Sequence, residues 1–162
     1  MVVFMAGLCV FCRIVSKNIR ASCVYEDDYV MVFLDNRPAS DGHTLVIPKK
    51  HFETIYDIPD EEISHLFTVV KNVAVAVRKA VNPEGLTIIQ RNGKAAGQHI
   101  RHLHVHIIPR YRNQRLLEME EIPEVNKEKL DSVADLLRQH LSDALTKNPA
   151  QKKNELPSRR KD

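Results

Sequence analysis

The chain has 162 residues, of which 43% are hydrophobic and 28% charged, with a formal net charge of +3; that is the composition of an ordinary globular protein with one core. Part of the small positive excess sits in Gln151-Lys152-Lys153 and Arg159-Arg160-Lys161, so composition argues against a nucleic-acid-binding surface. Met1-Val2-Val3-Phe4-Met5-Ala6 is apolar but short and has no basic leader, so no signal peptide or membrane span is expected; three cysteines in such a chain point to a reducing, cytoplasmic setting rather than a disulfide framework.

In chain order, Cys9-Val10-Phe11-Cys12-Arg13-Ile14-Val15 reads as a short turn or helix with Val10, Phe11 and Ile14 available for packing. Residues 22–26 and 29–34 are β-rich runs around Asp27-Asp28, which predicts a hairpin. A turn over 37–42 leads into a third strand, 43–47, stopped by Pro48. From Asp60 to about Val81 the apolar residues fall at three- and four-residue spacings, the mark of an amphipathic helix. Asp60, Glu61 and Glu62 suit its positive end, and Asn82-Pro83 with Gly85 ends it. Residues 86–90 predict a fourth strand, 92–97 a loop and 102–108 a fifth strand. A second long helix is expected over 127–145 on Leu130, Val133, Leu136, Leu137 and Leu141, with disorder after Pro149. Three strands, helix, two strands, helix is an α+β pattern with a five-stranded antiparallel sheet. It forms one domain over 1–148, followed by a basic tail over 149–162.

The chemistry concentrates in His102-Leu103-His104-Val105-His106-Ile107-Ile108. On a strand, His102, His104, His106 and Ile108 share one face, while Leu103, Val105 and Ile107 point into a core. Three imidazoles on one face are not core filling, because each ring carries a polar nitrogen that needs a partner. They make either a metal site or a row that meets an anionic substrate. His43, His51 and His99 lie near the same two strand regions, whereas His65 and His140 fall in the helices and read as ordinary. Cys9-x-x-Cys12 is compatible with a zinc half-site completed by imidazoles, a redox pair, or two small hydrophobes. Cys23 reads as a small buried residue. Gly93, Gly97 and Gln98 bring backbone amides close to the His row, which suits a phosphate and favours a nucleophilic imidazole.

The His-φ-His-φ-His-φ-φ run resembles the signature of the histidine triad (HIT) superfamily. Cys9-Val10-Phe11-Cys12, Val32-Phe33-Leu34-Asp35, the stretch from Gly42-His43 to Lys50-His51, and Gly97-Gln98 are similar to that family's landmarks in order, over roughly residues 9 to 112. The resemblance implies a HIT-like fold that pairs into a homodimer through the fourth-strand edge and the 60–81 helix. It also implies an enzyme, a hydrolase or transferase acting at a nucleotide α-phosphate. The substrate expected is a purine nucleoside phosphoramidate or an adenosine-containing dinucleoside polyphosphate. His104 would be the nucleophile, with His102 and His106 orienting ring and phosphate. Phe11, Ile14 and Phe33 would wall the base and Asp35 would hold the ribose. His43, Asn92, Gly97 and Gln98 would complete the nucleotide-binding set. Cys9, Cys12, His51 and His102 would hold a structural zinc ion.

This chain departs from the pattern where many relatives carry Ser or Thr after Gly-Gln: it has His99, either a general acid toward the leaving group or a solvent-facing side chain. Arg91 stands where relatives often carry an amide; it either favours a polyphosphate leaving group or lies on the surface. Two other readings stay open: a non-catalytic nucleotide-binding scaffold, and a hydrolase with zinc at the triad itself.

Overall fold

The structure, a computed structural model, describes residues 9–114 and 122–146, with side chains to residue 143; the expected 149–162 tail lies outside the described residues. The elements are α1 (Val10–Val15), β1 (Cys23–Glu26), β2 (Val30–Leu34), β3 (Thr44–Pro48), α2 (Asp60–Val81), β4 (Gly85–Gln90), β5 (Val105–Arg110) and α3 (Lys127–Thr146). The five strands form one antiparallel sheet in the order β1-β2-β3-β5-β4. The chain is thus α+β, as its pattern predicts. Among the described residues no helix is long and apolar enough to cross a membrane.

Both faces of the sheet are covered, which is why every residue of β2 and β3 is buried and both read as near-continuous apolar runs. One face carries Val30, Val32, Leu34, Val46, Leu103, Val105 and Ile107 against Leu66, Val70, Val73 and Val77 of α2 and Leu130, Ala134, Leu137 and Leu141 of α3. The other carries Met31, Phe33, Leu45 and Ile47 against Phe11 and Ile14 of α1. Each fully buried aliphatic side chain contributes about 1.5–3 kcal/mol, so the larger α2/α3 face supplies most of the stability. The second face is left to build a site.

α2 has the bounds its spacing predicts. Its three acidic residues lie in the first turn, and Asn82 closes it in a left-handed conformation at φ 45° just ahead of Pro83. His65 of α2 meets Asp27 in the β1–β2 turn at 2.7 Å, so it ties helix to hairpin. Asn126 Oδ1 accepts the Lys129 amide at 2.9 Å and starts α3 as its cap.

The His strand differs from expectation in its limits. Ladder pairing begins at Val105, where Val46 and Gln90 flank it, so His102 and His104 precede the strand. Their segment is held elsewhere: the Leu103 amide donates to the Phe52 carbonyl at 2.7 Å and the His102 amide to the Ile100 carbonyl at 2.9 Å. The alternation still holds, since Leu103, Val105 and Ile107 all enter the α2/α3 core. At its far end β5 runs through Pro109 to Arg110. β3 pairs with it only as far as Ile107, so the missing proline N–H falls where one side of the strand is already unpaired.

Candidate functional site

A cavity of about 560 Å³ opens on the α1 side of the sheet. Phe11 and Ile14 from α1, Phe33 from β2 and Leu45 from β3 form its apolar part; His104 and His106 stand at one side, and Asp35, Asn36 and Arg37 lie in the turn after β2. The sheet order sets this out: β5 and the segment leading into it bring the imidazoles, β3 and β2 the apolar floor, and the end of β2 the carboxylate.

The tautomers of four histidines follow from their partners. The Ala39 amide donates to His43 Nδ1 at 3.0 Å, so the proton of neutral His43 is on Nε2. That Nε2–H donates to His106 Nδ1 at 2.9 Å, with Asp35 Oδ2 3.6 Å from the same nitrogen. His106 therefore carries its own proton on Nε2, as a donor. His104 Nδ1–H donates to the His102 carbonyl at 2.6 Å, which leaves its Nε2 lone pair bare. His102 Nε2–H donates to the Pro48 carbonyl at 2.8 Å, which leaves its Nδ1 bare.

Burial keeps these rings neutral. It lowers His43 and His102 to about 4 and His106 to about 3, because an imidazolium loses its hydration there. His104 is lowered as well, first by burial and then by the charges of Arg91 and His99, against the pull of the His102 carbonyl. Burial raises Asp35 above the usual carboxylate value, and the Arg37 amide and charge oppose the shift. A neutral imidazole with one committed N–H and one bare nitrogen is a nucleophile; its neighbour with an outward N–H is a donor for an anionic oxygen.

The first histidine does different work. Cys9 Sγ lies 3.4 Å and Cys12 Sγ 3.6 Å from His102 Nδ1, and Cys12 Sγ lies 3.3 Å from His51 Nδ1. All four donor atoms lie within 4.8 Å of one another. A tetrahedral metal with sulfur at ~2.3 Å and nitrogen at ~2.1 Å has S···N edges of about 3.6 Å, so the set has the span such an ion requires. Burial and the adjacent Cys9 push the Cys12 thiol up to about 12. Cys23 bonds the Tyr25 carbonyl and packs at the margin of the α1-side core.

The triad does not converge on a single ion. Among the described residues His102 groups with the thiols and His51, while His106 groups with His43 and Asp35, where the 2.9 Å contact is an N–H···N hydrogen bond.

A family model described as HIT domain matches residues 16–113. The chain belongs to the HIT family. Its curated relatives include an uncharacterized HIT-like protein of Methanocaldococcus jannaschii, 43% identical over 126 residues, 78% of this chain and 95% of the relative. An adenosine 5′-monophosphoramidase of Saccharomyces cerevisiae is 37% identical over 102 residues, 63% of this chain and 62% of that protein. Among solved structures, a zinc-bound histidine triad family protein of Mycobacterium smegmatis superposes with a TM-score of 0.76 at 34% identity, covering 88% of this chain and 99% of that one.

Within this HIT domain the loop before the triad is built differently from what its residues suggest. Gln98 is buried, accepting from the Gly93 amide at 2.7 Å and donating to the Glu53 and Ile100 carbonyls. The amides of Ala96, Gly97 and Gln98 donate to Gly93 and Lys94 carbonyls. Side chain and amides therefore close the loop on itself instead of facing the cavity. Asn92 accepts from the Ile55 amide and exchanges two bonds with Gln90, so it too fixes the loop. Gly97 does line the cavity; at φ +78° a side chain there is strained, and its Cβ would meet the Arg91 stem at 3.5 Å. His99 is exposed and lines the cavity. His43 lies behind the site and reaches it through His106.

Sequence reasoning missed the opposite wall, formed by Arg20, Ser22, Val125, Lys127 and Leu130. Asp131 draws its parts together, accepting from Ser22 at 2.7 Å and pairing with Lys127 at 3.4 Å and Arg20 at 3.5 Å. No motif announces it, because residues about a hundred positions apart meet only once α3 packs across β1 and β2.

Proposed function

We propose that this HIT protein is a hydrolase cleaving at the α-phosphate of a purine nucleoside phosphoramidate or an adenosine-containing dinucleoside polyphosphate, through a nucleotidyl intermediate on His104. The observation that carries the reading is the 2.6 Å bond from His104 Nδ1–H to the His102 carbonyl, which leaves Nε2 bare beside the cavity. The name of the yeast relative, an adenosine 5′-monophosphoramidase, supports the substrate class.

In this reading the purine packs on Phe11, Ile14 and Phe33, and Asp35 accepts from the ribose hydroxyls. His104 Nε2 attacks phosphorus in line, the bond to the leaving group breaks, and the leaving group takes a proton from His99 or solvent. The ring is now cationic, and the His102 carbonyl stabilises its Nδ1–H. His106 Nε2–H donates to a non-bridging phosphate oxygen. Water then attacks phosphorus, giving up its proton to His99 or solvent, the bond between phosphorus and His104 Nε2 breaks, and His104 returns to its starting state. Splitting one displacement into two lowers the barrier of each.

Cys9, Cys12, His51 and His102 hold zinc in this proposal, a closed four-ligand site that pins α1 beside the triad and supplies no reaction chemistry. The His102 bond to Pro48 is the kind of outer contact that orients an imidazole ligand. The protein works in the cytoplasm as a homodimer, through the face where Phe67 and Val75 of α2 and Ile88 of β4 are exposed.

The test is turnover of adenosine 5′-phosphoramidate and diadenosine tetraphosphate by wild type and His104→Ala. Loss of turnover by at least about a thousandfold is expected for a missing nucleophile. Equal turnover in the two proteins would refute the assignment.

A further inference from the structure

Cys9 and Cys12 flank Phe11 at the start of α1, a helix of six residues. A helix this short does not hold its shape by propensity. Two things fix it: the thiol–imidazole set at its N-terminal end, and the packing of Phe11 and Ile14 on Met31, Phe33, Leu45 and Ile47. The Phe11 ring meets His104 edge-on at 5.2 Å between centroids, His102 at 5.7 Å and Phe33 at 5.6 Å, and it lines the cavity. One turn of chain therefore carries two donors of the metal set and one wall of the site.

We propose that Phe11 is a positioning residue that links occupancy of the Cys9–Cys12–His51–His102 set to occupancy of the cavity by a nucleotide, so that each tightens the other. The inference rests on the nucleotide reading above and adds a regulation to it. With the four donors tied to one centre, α1 is anchored at both its thiols and its apolar face, and Phe11 is held against His104 with the cavity wall formed. With the donors untied, α1 keeps only its apolar face, chiefly Phe11 and Ile14 with Val15 at the margin, and a nucleotide has to order the helix as it binds, which weakens its apparent affinity. Linkage then requires the reverse effect by the same factor.

Adenosine 5′-monophosphate, which has base, ribose and α-phosphate without a leaving group, serves as the probe. Its affinity is measured by titration calorimetry on zinc-loaded protein and on protein stripped by a chelator under reducing conditions. Zinc affinity is measured by competition with a chromogenic chelator, with and without the nucleotide. The loaded wild type should bind the nucleotide about tenfold more tightly than the stripped protein, and the nucleotide should tighten zinc by the same factor. Phe11→Ala should still bind zinc one to one, with both factors falling toward one; Phe11→Leu, which keeps apolar bulk, should retain most of the coupling. A role confined to holding the fold would weaken both affinities and leave their ratio unchanged. The chelator competition starts from loaded protein, so it reads the ratio even where a stripped chain loses its fold. Nucleotide binding with a ratio of one in wild type, or an undiminished ratio in Phe11→Ala, overturns the inference alone. Absence of nucleotide binding to the loaded protein overturns the nucleotide reading and the inference together.

Discussion

His43 Nε2 lies 2.9 Å from His106 Nδ1, and neither ring has more than a trace of solvent exposure. The contact fixes which nitrogen of His106 carries its proton, and so decides that this ring donates toward the cavity. Replacing His43 by Ala removes that control without touching His104, the proposed nucleophile. We expect kcat to fall about 10- to 100-fold with KM changed little, since a transition-state contact is misoriented and ground-state binding is not. Steady-state kinetics on the phosphoramidate measure it, and a change confined to KM would contradict the relay.

The same burial makes stability depend on acid. His43 is held near 4 and His106 near 3, against about 6.5 for an exposed imidazole in the unfolded chain. Between those values the unfolded state binds more protons than the folded one, so stability falls as pH drops below about 6.5. For His43 alone the loss down to pH 4 is on the order of 3 kcal/mol. Urea unfolding across this range should show the decline, and His43→Gln should flatten it. A stability that holds level between pH 6.5 and 4 would mean the rings are not buried as neutral groups.

Metal content separates the two histidine roles. Cys9→Ser should lose zinc on dialysis while His104→Ala keeps it, as measured by elemental analysis of purified protein. Zinc retained in Cys9→Ser would move the ion to other ligands.

Gln98 offers a test between two uses of one side chain. Its amide joins Gly93, Glu53 and Ile100, so Gln98→Ala takes this partner from one backbone amide and two carbonyls and should destabilise the fold by about 1–3 kcal/mol. Adenosine 5′-monophosphate affinity at a temperature where the variant stays folded should change less than threefold. A larger loss of affinity without loss of stability would return Gln98 to the phosphate.

The exposed strip on α2 and β4 predicts a quaternary effect. Ile88→Glu places a charge on the edge strand among Phe67, Val75 and Leu86. If that face joins two copies, the variant should sediment at the mass of one chain where wild type sediments at two.

The fold was legible because two periodicities separate cleanly: three- and four-residue spacing over Asp60–Val81, and two-residue alternation through the histidines. Alternation predicts which way a side chain points, and Leu103, Val105 and Ile107 all follow it. It does not predict where ladder pairing starts, because that depends on the Phe52 carbonyl capturing the Leu103 amide from a distant loop. The four-donor set at Cys9, Cys12, His51 and His102 was legible only through the family resemblance, because Cys9-x-x-Cys12 by itself fits zinc, redox and apolar readings equally, and the fold then brings the four donor atoms within 4.8 Å of one another. The roles of Gln98 and Asn92 could not be read, because an amide near a glycine loop serves a ligand or the loop equally well, and only the partners decide.

The family match spans residues 16–113, which contains all three triad histidines and Asp35 but neither Phe11 and Ile14 nor Val125, Lys127 and Leu130. The reactive groups thus lie inside the matched stretch, whereas the enclosing walls are shared between it, through Phe33 and Leu45, and both flanks. In a chimera that keeps 16–113 and exchanges the flanks with those of another HIT protein, the reaction would stay with the centre and the preference among nucleotides would shift with the ends.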